Sequence, residues 1–157
     1  ELAVNLMKNG RGFTIVTDTN MALAGVNKAA LKQLNGTVRC FMADPDVAAE
    51  AKERGVTRAI VSMERAATLA GPVIFAIGNA PTALIRLYEM MQKGEIHPDF
   101  IIGTPVGFVN VVESKELIYQ SSVPCIVARG RKGGSNIAAA VCNALMYQVT
   151  RTQKSGK

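Results

Sequence analysis

Toward the end of the chain, Ile126-Val127-Ala128-Arg129-Gly130-Arg131-Lys132-Gly133-Gly134-Ser135-Asn136 joins an apolar run to three cations, two adjacent glycines and two small polar residues. An alanine-rich apolar stretch follows. A strand that ends in such a loop and gives way to a helix gathers backbone N–H groups, the positive helix end and side-chain charge in one place. That is the chemistry of an anion grip, in which Gly133 and Gly134 are expected to allow close backbone approach. A solvated basic turn has the same local composition. The spacing G-x-x-x-x-G-K-[ST] is absent and no G-x-G-x-x-G occurs, so neither standard phosphate cradle is present.

Other groups able to do chemistry are few. Asp18 follows a strand directly and could orient a ligand or cap the segment Met21–Gly25. Asp44 reads as a helix cap. The single histidine, His97, precedes Pro98 in a turn that enters a strand at its amino end, away from the expected site. One histidine and no C-x-x-C pair leave no metal site, and there is no Ser-His-Asp set. Cys40, Cys125 and Cys142 are odd in number and set in apolar surroundings, as free cytosolic thiols would be.

These residues need a frame, and the chain is long enough to build one. With 157 residues, 48% of them hydrophobic, it can bury a full core. A net charge of +6 favours an acidic partner. Three tyrosines, five phenylalanines and no tryptophan make poor stacking platforms, so nucleic acid is not expected. No apolar run approaches the roughly 18–20 residues that cross a membrane, and no signal peptide is visible.

Short β-branched runs alternate with helical periodicity. Strands are expected at 13–17, 37–42, 72–77, 100–103 and 124–128. Helices are expected at 26–34, stopped by Gly36, then after Asp44-Pro45-Asp46 to Gly55, and at 57–69, 81–93 and 112–120. A closing helix should lay Ile137, Val141, Leu145 and Val149 on its inner side. The strands read as apolar throughout, which favours a mainly parallel five-stranded sheet in a three-layer, doubly wound α/β domain. That domain is expected to span 1–152, with a polar tail at 153–157. Glu1–Lys8 reads as the last turns of an amphipathic helix with nothing to pack against, which points to a missing N-terminal segment. In such sheets ligands sit beyond the strand carboxyl ends. The five loops expected there are 17–21, 43–46, 78–82, 103–108 and the basic loop.

The segments Thr17–Lys28, Phe75–Leu84, Gly103–Val109 and Arg129–Ser135, in register from about Phe13 to Tyr147, resemble the precorrin-8X methylmutase (precorrin isomerase) family of cobalamin biosynthesis. Thr57-Arg58 and Glu113-Ser114-Lys115 fit the same family. The resemblance implies an isomerase that moves a methyl group from C-11 to C-12 of precorrin-8X or cobalt-precorrin-8. It also implies a cytoplasmic homodimer holding a polycarboxylate corrinoid near the subunit interface, with no cofactor. The expected substrate-binding residues are Asp18, Thr19, Met21, Arg58, Asn79, Thr82, Val106, Gly107, Arg129, Arg131, Lys132, Gly133, Gly134 and Ser135. The family's proton-donating histidine lies in a segment upstream of Glu1, and His97 does not match it. A corrinoid-binding protein without turnover is the alternative. Asn110-Val111-Val112 replaces smaller family residues and is expected to reshape one pocket wall.

Overall fold

The computed structural model describes residues 1–155. Its elements, in chain order, are α1 (Leu2–Lys8), β1 (Phe13–Thr17), α2 (Asn20–Gly25), α3 (Lys28–Gln33), β2 (Gly36–Cys40), α4 (Pro45–Arg54), α5 (Arg58–Ala66), β3 (Val73–Ile77), α6 (Pro81–Gln92), β4 (Phe100–Gly103), α7 (Val111–Gln120), β5 (Cys125–Val127) and α8 (Ser135–Ser155). The five strands form one all-parallel sheet in the order β2-β1-β3-β4-β5. The strand order reverses between β1 and β3, the place where open α/β sheets leave a crevice at their carboxyl edge.

Side chains alternate across the sheet. Ile15, Ile74 and Ile102 enter one core with Met7, Leu31, Cys142 and Met146, beneath α1, α3 and α8. Their neighbours Val16, Phe75 and Ile101 enter the other core with Val47, Met63, Leu87 and Ile118, beneath α4 to α7. The three central strands are therefore almost wholly buried. The edge strands β2 and β5 are not, and the expectation of apolar strands throughout holds only for the centre. An edge strand has a neighbour on one side only, so Thr37 and Arg39 can face solvent.

Several sequence expectations need correction. The helix expected over 26–34 is α3, which starts two residues later, and a separate short helix, α2, precedes it. Thr19 caps α2 through its hydroxyl and Ala22 N (3.1 Å), and Asn27 starts α3 by accepting from Ala30 N (3.0 Å). Asn27 thus breaks the run by capping within it. Asn35, in the left-handed conformation, ends α3, and Gly36 already belongs to β2. Asp44 occupies the cap position of α4 but its side chain makes no capping bond. On the inner face of α8, Val149 is buried and Val141 and Leu145 pack partly buried against the core as expected, but Ile137 is exposed and the deepest positions are Ala138, Cys142 and Met146. Helix α1 does have a partner: Ala3 and Met7 are buried in the core shared with α8. Helix α8 continues through Ser155, beyond the expected start of the tail at Gln153. The last two residues of that tail, 156 and 157, lie outside the described residues.

All three cysteines are free, and burial pushes each thiol pKa up. Cys142, the deepest, is pushed up to about 12, against about 8.5 for a free thiol. The fold thus favours its neutral form. Its contribution to stability is complete below about pH 8.5 and is lost as pH rises toward the folded value. A thiol reagent on native protein at pH 8 should modify the partly buried Cys40 and Cys125 before Cys142. Replacement Cys142→Ala should flatten part of the loss of stability between about pH 8.5 and 11, read from urea midpoints.

Candidate active site

Because every strand is parallel, all five carboxyl ends share one edge. Four of the loops there are tied together. Asp18, at the end of β1, is 0% exposed, and its carboxylate accepts amides from the loop after β3. Oδ1 receives Gly78 N (2.8 Å), while Oδ2 receives Asn79 N (2.8 Å) and Ala80 N (2.6 Å). Burial raises its pKa above the ordinary carboxylate value, and these amide bonds pull the other way. Neither role expected for Asp18 is the one seen. It caps no part of α2, and its carboxylate is taken up by the protein's own backbone.

Thr19 donates from its hydroxyl to Ser135 Oγ (2.8 Å), joining the loop after β1 to the start of α8. Thr104, after β4, donates its amide to Ile77 O (2.8 Å) and accepts Gly134 N (2.8 Å). At two glycines these loops touch backbone to backbone. A Cβ on Gly78 would stand 2.6 Å from Ser135 Cα, and one on Gly133 would stand 2.0 Å from Thr104 O. A Cβ on Gly134 would meet Asn136 Oδ1 at 2.7 Å. Gly133 is thus required by a backbone contact within the protein, and Gly134 by its backbone conformation, φ +131°. A side chain at either would disturb the fold before it met a ligand. The loop 43–46 takes no part in these bonds among the described residues.

The cations divide into two groups. Arg129 is held by Glu116 through Nε–Oε1 (2.9 Å) and Nη2–Oε2 (3.2 Å) and lies over the Tyr119 ring. The expected grip therefore loses one of its three charges to a carboxylate of α7. Arg131 and Lys132 are exposed and make no ion pair among the described residues. Arg131 lies 5.4 Å from the Phe108 ring centroid. Arg58, also exposed and without an ion pair, opens α5, whose cap Thr57 reaches Thr82 at the start of α6 (Oγ1–Oγ1 3.3 Å). Asn79 is exposed, and Thr82 half-buried.

Large apolar side chains stand exposed at the same edge. Met21 is 70% exposed, Phe108 80% and Val109 78%, with Val106 and Ile137 also open. Val111 is buried and packs below Gly107, so it supports the loop after β4 and lines no open wall. His97 is exposed at the opposite edge, beside Asp99, whose carboxylate accepts Val73 N at the start of β3 (2.9 Å). A cleft of about 610 Å³, lined by Val4, Tyr147, Gln148 and Arg151 among others, lies toward the far end of α8. It lacks the convergent loops of the carboxyl edge. No group of three or more His, Cys, Asp or Glu side chains is placed to hold a metal ion among the described residues.

Sequence reasoning missed a role for Lys115. It is 0% exposed, and its ammonium donates to Gly130 O (2.8 Å) and Lys132 O (2.9 Å). A signal was available: Val111, Ser114, Lys115 and Ile118 follow the i, i+3, i+4, i+7 spacing of a buried helical stripe.

The fold and this edge define a doubly wound α/β protein that presents cations and apolar side chains together at its strand carboxyl ends. The chain belongs to the precorrin-8X methylmutase family, whose pattern it matches over residues 2–148. It is 45% identical over 134 residues to the cobalt-precorrin-8 methylmutase of Priestia megaterium, covering 85% of this chain and 60% of that one. It is 44% identical over 137 residues to the precorrin-8X methylmutase of Pseudomonas aeruginosa, covering 85% and 65%. The solved precorrin-8X methyl mutase of Thermus thermophilus superposes with a TM-score of 0.83 at 33% identity, covering 96% of this chain and 73% of that one. The chain thus spans somewhat under two thirds of the length of these two enzymes from Priestia and Pseudomonas.

Asp18→Asn should show what the carboxylate does. The substitution sets an NH₂ group against amides that need an acceptor. A loss of about 1–3 kcal/mol is expected, with faster hydrogen exchange at Gly78, Asn79 and Ala80. Unchanged exchange at those amides would show that the loop holds itself.

Proposed function

We propose that this protein takes part in the isomerisation of precorrin-8X or cobalt-precorrin-8, in which a methyl group moves from C-11 to C-12 of the macrocycle. The observation that carries the reading is the pairing of unneutralised cations, Arg58, Arg131 and Lys132, with exposed apolar side chains at one sheet edge. A corrin-type ring is broad and largely apolar with carboxylates at its periphery, so it needs both kinds of contact. The printed names of the relatives support the same reading.

The rearrangement is internal to the substrate. The bond from methyl to C-11 breaks as the bond to C-12 forms, and no atom enters or leaves. The work left to the protein is to hold the ring in one orientation and to bias its protonation. In this reading Arg58, Arg131 and Lys132 bind carboxylates, and Met21, Val106, Phe108 and Ile137 lie against the ring. Thr19, Asn79, Thr82, Gly107 and Ser135 line or support the same face, and Arg129 holds α7 to the basic loop. The proton donor is assigned to the histidine that the family resemblance places upstream of Glu1. A cytoplasmic homodimer completes the proposal.

Titration with hydrogenobyrinate tests it. Binding should weaken as salt is raised, since exposed charges are screened over about 8–10 Å at moderate ionic strength. Arg58→Ala and Arg131→Ala should each weaken binding roughly tenfold, the scale of one hydrogen bond between charged groups. Affinity indifferent to salt and to both substitutions would remove this edge from the site. Binding without conversion of substrate would favour a corrinoid carrier over an enzyme.

A further inference from the structure

The basic loop is turned in a particular sense. Gly130 O and Lys132 O accept from the Lys115 ammonium at 2.8 and 2.9 Å, and Arg131 O between them accepts Gly107 N at 3.2 Å. Three consecutive carbonyls are therefore bonded to α7 and the loop before it. In a planar trans peptide, the C=O of one residue and the N–H of the next point in opposite directions. The amides of Arg131, Lys132 and Gly133 are thus directed away from α7. Among the described residues none of them donates to a protein acceptor. The Arg131 and Lys132 side chains are exposed beside them.

The ammonium that does this is out of place by ordinary packing rules. Lys115 is fully buried in the inner stripe of α7, where an aliphatic residue would fit without desolvating a charge. Its two partners are backbone carbonyls. Burial lowers its pKa, the expected sign for a cation without a carboxylate partner.

We propose that Lys115 is the positioning residue of the anion grip: by holding the carbonyls of Gly130 and Lys132, it presents the amides of Arg131, Lys132 and Gly133 to a carboxylate of the ligand. This rests on the reading of the carboxyl edge as the corrinoid site. Lys115 itself does not reach the ligand. Its charge is taken up inside the protein, whereas the charges of Arg131 and Lys132 are open to solvent.

The experiment compares wild type, Lys115→Met, Lys115→Arg and Arg131→Ala. Each is titrated with hydrogenobyrinate at low and physiological salt, and amide spectra and thermal midpoints are recorded without ligand. Lys115→Met should weaken binding roughly tenfold or more while keeping the wild-type salt dependence. Its spectral changes should centre on residues 129–134. Lys115→Arg, which can still donate to two carbonyls, should recover most of the affinity. Arg131→Ala should flatten the salt dependence, because its charge meets the ligand directly.

The proposal is overturned if Lys115→Met binds like wild type, if its loop amides are unmoved, or if its salt dependence flattens as that of Arg131→Ala does. It is also overturned if its affinity loss merely follows the unfolded fraction. Should wild type itself fail to bind, the corrinoid reading falls and the ligand role of Lys115 with it. The loop spectra would still report separately whether the lysine sets the loop.

Discussion

A carboxylate without solvent contact sits where the strand order reverses, and the arrangement of the loops at the strand carboxyl ends depends on it. Asp18 has the end of β1 behind it and three amides of the loop after β3 in front of it. Burying an anion beneath a surface that carries exposed cations would ordinarily offset their charge. Here the amide dipoles of Gly78, Asn79 and Ala80 take up the charge, and in doing so they fix the approach to α6. The opposing influences on its pKa, burial against three amide bonds, record the same compromise. On the other side of the edge, a buried cation, Lys115, is treated the same way with carbonyls. Two unpaired ions of opposite sign thus each set the backbone of one loop.

Between them the chain has almost no free space. Gly78 stands against the first turn of α8, and Gly133 stands against Thr104, at distances that leave no room for a Cβ. Thr104 bridges the two contacts through its backbone, to Ile77 on one side and Gly134 on the other. The surface above is therefore carried by interlocked main chain. Its mobile parts are the side chains that project from it. Such an arrangement favours a ligand whose shape is fixed, since little of the loop backbone can adjust without breaking one of these contacts.

How much of this was legible in the sequence follows from what local patterns encode. The central strands are runs of β-branched and aromatic residues with buried neighbours on both sides, and their limits were read almost to the residue. The shared edge followed from parallel order alone. The start of α3 was set too early because Asn27 looks like a helix residue until it is seen accepting Ala30 N. On α8 only Ile137 was misplaced and the deepest positions were overlooked, because Ala138, Ala139 and Cys142 are smaller than the Ile137 and Val141 beside them, while the packing depends on proximity to the sheet. The basic loop was located from its composition, yet its internal division was not. That Arg129 would be neutralised by Glu116, thirteen residues earlier, is a tertiary fact with no local signature.

That neutralisation leaves the edge with a definite chemical character. A surface built for phosphate alone would keep its cations and have little use for exposed Phe108, Val109 and Met21, which a folded chain gains nothing by projecting into water. A surface built for an apolar partner alone would have no use for exposed Arg58, Arg131 and Lys132 beside its apolar side chains, whereas Arg54, Arg65 and Arg86 are taken up by carboxylates. Arg131 stacked on Phe108 joins the two characters in one contact. The ring keeps an aromatic face beside the guanidinium, and the guanidinium keeps donors free for an anion. A flat apolar ligand with acidic groups at its margin uses both at once, and the buried ions below explain how loops carrying such unlike side chains are held to a single edge.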